Sequence, residues 1–175
     1  DPLMEYRAHC VSETLGLMYI AAVLRDAGHG VRIIATGLRE EDGIVPNDVL
    51  DADLVGVTAT SALFGNAKEV LNTIKIWRPE LPVILGGAHA TVSTESALRA
   101  GFDFALIGEA EKTIVEFVAN LERGEPHQTR GIAFLNDAGE VCKTPEQQLV
   151  EDLDSLPFPA RDLYDYDAFR AAGGW

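Results

Sequence analysis

Leu54–Thr91 reads LVGVTATSALFGNAKEVLNTIKIWRPELPVILGGAHAT, and its reading decides the fold. It opens on an apolar run, LVGVT, and closes on another, Val83–Leu85 (VIL). Runs this short and this continuous are what strands covered on both faces by helices look like, because neither side-chain direction meets water. Between them Ala67, Val70, Leu71 and Ile74 recur at helical spacing, and Pro79 stops the helix. Strand, helix and strand with short connections predict a parallel crossover unit.

The same alternation extends in both directions. Val31–Ala35 (VRIIA) and Phe104–Ile107 (FALI) read as further strands. Leu15–Ala27 reads as a helix ended by Gly28, Thr91–Ala100 as a shorter one closed by Gly101. Ile114, Phe117, Val118 and Leu121 give the last stripe. The expected architecture is α/β: a Rossmann-like (flavodoxin-like) doubly wound parallel sheet with a C-terminal β-hairpin and an extended linker. Such a sheet normally begins with a strand, yet the first clear element here is a helix; either Leu3–Arg7 is a degraded first strand or, as the charges in Asp1–Cys10 favour, the first strand lies upstream of Asp1. Gly131–Leu135 and Glu140–Thr144 flank Asn136-Asp137-Ala138-Gly139 and predict the hairpin. Leu153–Leu163 (LDSLPFPARDL) has no period and two closely spaced prolines, which predicts a linker, and the chain ends as if before another domain. The expected organisation is 1–128 for the α/β domain, 129–150 for the hairpin and 151–175 for the linker.

Composition narrows the function classes. The chain of 175 residues is 47% hydrophobic and 24% charged, enough for a core of its own. A net charge of −14 repels phosphate backbones and argues against nucleic acid as a partner. No apolar stretch is long enough to span a bilayer. Two distant cysteines, Cys10 and Cys142, fit a reducing, cytoplasmic compartment and no disulfide framework.

Open parallel sheets bind ligands beyond the carboxyl ends of their strands. Three such ends carry small or polar residues: Thr58-Ala59-Thr60-Ser61-Ala62-Leu63, Gly86-Gly87-Ala88-His89-Ala90-Thr91 and Gly108-Glu109-Ala110-Glu111. Paired glycines let a large flat ligand approach the backbone. The hydroxyls of Thr58, Thr60 and Ser61 can bond amides or phosphates. Small residues also cap and pack ordinary turns, so it is the agreement of three turns that marks a site. Glu109 and Glu111 resemble an acid–base pair, but carboxylates in a helix's first turn commonly serve its dipole. His9, His29 and His127 fit no metal spacing, and Trp77 reads as a helix-end anchor. No catalytic or metal-ligating set emerges.

These residues resemble the cobalamin-binding domain at the front of class B radical S-adenosylmethionine (radical SAM) enzymes, a group that includes methyltransferases and magnesium-protoporphyrin monomethyl ester cyclase. Thr14–Arg25 (TLGLMYIAAVLR) with Ala27-Gly28-His29 is similar to the family's first helix and turn, and VILGGAHAT to its fourth-strand loop. GFDFALIGEAE from Gly101 is similar to the fifth-strand loop, and LPFPARDL to the linker into the catalytic barrel. Ser61-Ala62-Leu63 and Gly86-Gly87 fit the Ser-x-Leu and Gly-Gly elements of cobalamin-binding folds. The resemblance implies cobalamin as cofactor. Thr58, Thr60, Ser61, Leu63, Gly86 and Gly87 would lie near its nucleotide tail or the corrin rim. Gly108, Glu109 and Glu111 would meet its side amides or tail, and His89, Ala90 and Thr91 would lie beside the ring.

Two departures qualify it. No Asp-x-His-x-x-Gly supplies a lower histidine ligand to cobalt, and His89 is a weaker candidate for that place than for a hydrogen-bonding loop histidine. No Cys-x-x-x-Cys-x-x-Cys holds a 4Fe-4S cluster, so S-adenosylmethionine and the cluster are expected only in a domain beyond Trp175. The chain is therefore not expected to be catalytic alone; methyl transfer or oxidative cyclisation belongs to the whole enzyme. A flavodoxin-like flavin-binding module and a scaffold that has lost its cofactor remain open. A receiver module would need Asp where Thr58 stands.

Overall fold

The computed structural model describes residues 13–35 and 49–174. In chain order its elements are α1 (Leu15–Asp26), β1 (Val55–Thr58), α2 (Phe64–Trp77), β2 (Val83–Gly86), α3 (Ala88–Val92), α4 (Thr94–Arg99), β3 (Phe104–Leu106), α5 (Glu111–Glu122), β4 (Ile132–Leu135), β5 (Val141–Lys143) and α6 (Tyr166–Ala171). They fall into two compact units, 1–44 with 156–175, and 45–155.

The larger unit holds a five-stranded sheet in the order β1-β2-β3-β4-β5. β1 pairs with β2 and β2 with β3 in parallel, Val55 opposite Val83 and Ile84 opposite Phe104. β3–β4 and β4–β5 are antiparallel, so an α/β crossover half is finished by a hairpin whose Asn136 side chain accepts from the Ala138 and Glu140 amides. Helix α2 turns Phe64, Ala67, Leu71 and Ile74 inward, and α3 and α4 pack over β2, β3 and β4. Helix α5 buries Ile114 and Phe117, the latter edge-on to Phe104 with 5.0 Å between ring centroids. Burial of such a side chain contributes about 1.5–3 kcal/mol. Asn120 is buried on the same face because its amide donates to Thr129 at 3.0 Å, which removes the cost of an unpaired polar group.

In the smaller unit α1 buries Met18, Ala21, Ala22 and Val23. Val31–Ala35 is not a strand: no ladder partner for it exists among the described residues. Its apolar pattern is still used. Val31, Ile33 and Ala35 are half-buried and alternate with exposed Arg32 and Ile34, packing on clusters around Ala21, Ala22 and Ala160, and around Met18, Tyr164 and Phe169. A continuous apolar run predicts a strand covered on both faces, but a strand also needs a neighbour to bond to.

The segment expected as a linker is extended only in part. Ala160 donates its amide to the Met18 carbonyl, Asp165 caps α6 by accepting from Ala168, and Phe169 is fully buried. Burial pushes the Tyr164 hydroxyl pKa upward, and the Glu13 carboxylate adds to the shift.

Candidate functional site

The site is built where β1, β2 and β3 end. The turns that follow these strands are laced together by hydrogen bonds, which begin in the backbone. The Ala59 amide donates to the Gly86 carbonyl at 3.3 Å, and the His89 amide to the Ala59 carbonyl at 3.0 Å. These two bonds hold the first turn against the second. A side chain then ties the second to the third: the Thr91 hydroxyl donates to the Gly87 carbonyl and accepts from the Gly108 amide at 3.0 Å. The hydroxyl is thus used in both directions.

Gly87 explains why the turn can be this tight. At φ 85° and ψ −169° it occupies a backbone region open almost exclusively to glycine. A Cβ there would lie 2.6 Å from Thr58 Oγ1 and 3.2 Å from the Ala59 carbonyl. Gly108, at φ 77°, also needs glycine, but nothing lies within 4 Å of its missing Cβ. The first glycine serves close packing between two turns, and the second leaves open space above the third. Gly86 differs from both: its nearest neighbour would be 4.0 Å away.

Side chains complete the rim. Ser61 opens a single 3-10 turn, Ser61–Leu63, that leads into α2. Its Oγ lies 3.0 Å from His89 Nδ1. The His89 ring is 6% exposed and stacks on Phe64, centroids 3.8 Å apart and planes at 21°. Its Nε2 is buried without a hydrogen-bond partner. With Nδ1 engaged by Ser61 and Nε2 enclosed, neither nitrogen is open to a metal ion. Among the described residues no group of three or more His, Cys, Asp or Glu is placed to hold one.

Thr58, Thr60, Ser61, Leu63, Gly87, Thr91, Gly108 and Glu109 are all exposed along this edge. Leu63 is 54% and Val92 73% exposed, so apolar surface alternates with hydroxyls. The edge is an open shelf that suits a large amphiphilic ligand better than a small enclosed one. A recess of about 440 Å³ adjoins it below Thr91, reaching Val141 and Lys143 of the hairpin.

Not every candidate belongs to the shelf. Ala90 is fully buried in α3 and contributes to the core. Glu111 is half-buried in the first turn of α5, where a carboxylate favours the positive helix end. Phe64 and Val92 were missed from the sequence: a phenylalanine after Ser-Ala-Leu reads as a helix core residue, and its stacking partner is 25 positions on. Among the described residues no helix is long and apolar enough to cross a membrane.

Three comparisons bear on this geometry. An uncharacterized methyltransferase of Pyrococcus horikoshii is 32% identical over 169 residues, covering 91% of this chain and 36% of that protein. The anaerobic magnesium-protoporphyrin IX monomethyl ester cyclase of Rubrivivax gelatinosus is 27% identical over 148 residues, 79% of this chain and 27% of that protein. The chain thus spans about a third of the length of such relatives. Among solved structures, the cobalamin-dependent S-adenosylmethionine radical enzyme OxsB, with aqua-cobalamin and S-adenosylmethionine bound, shares the fold. Its TM-score is 0.73 at 18% identity, over 93% of this chain and 23% of that one. The family model for the B12 binding domain matches residues 8–118, which take in β1, β2, β3 and all three laced turns. By that match, which covers more than half its length, the chain belongs to the B12-binding domain family.

Proposed function

We propose that this chain holds cobalamin on the carboxyl edge of its sheet and presents it to a downstream radical SAM domain of the same cytoplasmic enzyme. The observation that supports this most is the laced rim: three turns meet, expose glycine and hydroxyl surface, and enclose one buried ring nitrogen that has no partner. The residues fit the cofactor. Cobalamin is a broad ring with apolar faces, a fringe of amides and a nucleotide tail. Leu63 and Val92 offer apolar surface to such a ring, while Thr58, Thr60 and Ser61 offer hydroxyls to amides or tail. Gly86, Gly87 and Gly108 permit backbone approach, with Thr91 and Glu109 beside them. Glu111 stands further back on its helix.

When bound, cobalamin supplies a cobalt centre suited to carrying a methyl group. This chain's residues bind and orient it; the four-iron cluster and S-adenosylmethionine belong to the downstream domain. The methyltransferase and cyclase names of the relatives favour methyl transfer, with oxidative cyclisation as the second activity of the class.

The test is an absorbance titration of the purified chain with hydroxocobalamin and, separately, flavin mononucleotide. Saturable spectral change with hydroxocobalamin alone is the expected result. Binding of neither ligand would indicate a scaffold that has lost its cofactor.

A further inference from the structure

We propose that His89 is a positioning residue for Ser61: it donates from Nδ1 to Ser61 Oγ and so leaves the serine proton free to point at the ligand. The inference rests on the cobalamin reading for the ligand's identity, but its chemical core concerns the chain alone. His89 Nδ1 and Ser61 Oγ are 3.0 Å apart, and Nε2 is buried without a partner. A neutral imidazole has one donor and one acceptor nitrogen. If Nε2 carried the proton, a buried N–H would be orphaned and Ser61 would spend its own proton on Nδ1. If Nδ1 carries it, the orphan is a lone pair, which buried sites tolerate better than an unbonded N–H. The second arrangement makes Ser61 Oγ an acceptor from the protein and a donor toward the exposed shelf.

The rest of the site supports a fixed ring. Stacking on Phe64 at 3.8 Å and burial to 6% exposure set the imidazole plane. The His89 amide bond to the Ala59 carbonyl anchors its backbone two residues before Ser61 in the facing turn. Ser61 itself is exposed, so its hydroxyl needs this neighbour to hold one orientation. A rotating hydroxyl would offer a ligand either polarity; one bonded to a locked imidazole N–H offers a proton. The ligand group that fits is an unprotonated acceptor, such as the ring nitrogen of the cofactor's nucleotide base. His89 then acts through Ser61 rather than on cobalt.

Two measurements test this. Long-range ¹H–¹⁵N spectra of the ligand-free chain with ¹⁵N-labelled histidine read the tautomer directly. Protonated Nδ1 with bare Nε2 is expected; an Nε2–H tautomer or an imidazolium overturns the proposal, whatever the chain binds. The second compares hydroxocobalamin with diaquacobinamide, a corrinoid without the nucleotide tail. H89F keeps a flat ring against Phe64 but removes the donor, and is expected to weaken hydroxocobalamin about tenfold while cobinamide changes less than twofold. H89N restores an N–H near the Nδ1 position and is expected to recover most of the loss. S61A added to H89F is expected to cost little more, because the two residues act as one unit. Equal losses for both corrinoids, or additive losses in the double variant, overturn the role of His89 while leaving the cobalamin reading in place. Wild-type chain that binds neither corrinoid overturns both.

Discussion

The two ends of the sheet are built from different chemistry. At the amino edge of β2 and β3 charged side chains are consumed by the fold. Lys75 donates to the Pro79 and Leu81 carbonyls and to Asp103, and Asp103 accepts from the Val83 amide at 2.7 Å. Arg78 donates to the carbonyls of Val49 and Leu50 and to Glu80. At the carboxyl edge glycine, serine and threonine predominate, with Leu63, Val92 and Glu109 exposed among them, and one buried nitrogen is unpaired. Helix α2 joins the two, with Phe64 under His89 at one end and Lys75 at the other. The lesson is that one edge ties the strands together and the other leaves bonding capacity for a ligand.

Substitutions can break that contrast. The largest expected effect is Gly87→Val, which forces a branched side chain into a glycine-only conformation and against Thr58 and Ala59. Hydroxocobalamin affinity should fall more than tenfold in an absorbance titration, while far-ultraviolet circular dichroism stays that of a folded α/β chain. Asp103→Ala is next and opposite in kind. It strips partners from Lys75 and the Val83 amide, so urea unfolding should show a loss of about 1–2 kcal/mol, with cobalamin affinity unchanged within twofold. The smallest effect is Gly86→Ala. With nothing nearer than 4.0 Å and no positive φ, stability should hold or rise by about 0.4–1 kcal/mol, whereas affinity should fall about threefold if the ligand uses that space.

Much of this architecture is legible in the sequence. VIL and FAL announce themselves as strands because burial on both faces leaves no polar alternation to confuse them, whereas VGVT, at the end of the strand order, alternates half-buried and exposed residues and is legible from its apolar composition alone. The three turns are legible as candidates because Gly, Ser and Thr recur at three strand ends on one edge, an agreement that capping or packing of a single turn does not require. The pairings between them are not. Ser61 with His89 and Thr91 with Gly108 join residues 28 and 17 positions apart, and no local pattern encodes which hydroxyl meets which neighbour. The burial of Ala90 is illegible for a related reason: inside a short helix one position is rim and the next is core. Val31–Ala35 shows the converse limit, since its apolar run reports contact with the core but neither the exposure of Ile34 nor whether a ladder partner exists. The Lys75–Asp103 tie is not legible because isolated charges in sequence carry no sign of their partner.

Hydrogen–deuterium exchange of the chain with and without hydroxocobalamin tests the central claim most directly. Slower exchange on ligand addition should concentrate in Ala59–Leu63, Gly86–Thr91 and Gly108–Glu109, with Lys75–Val83 unchanged. Protection centred on the amino edge, or spread evenly over both, would contradict a carboxyl-edge cobalamin site.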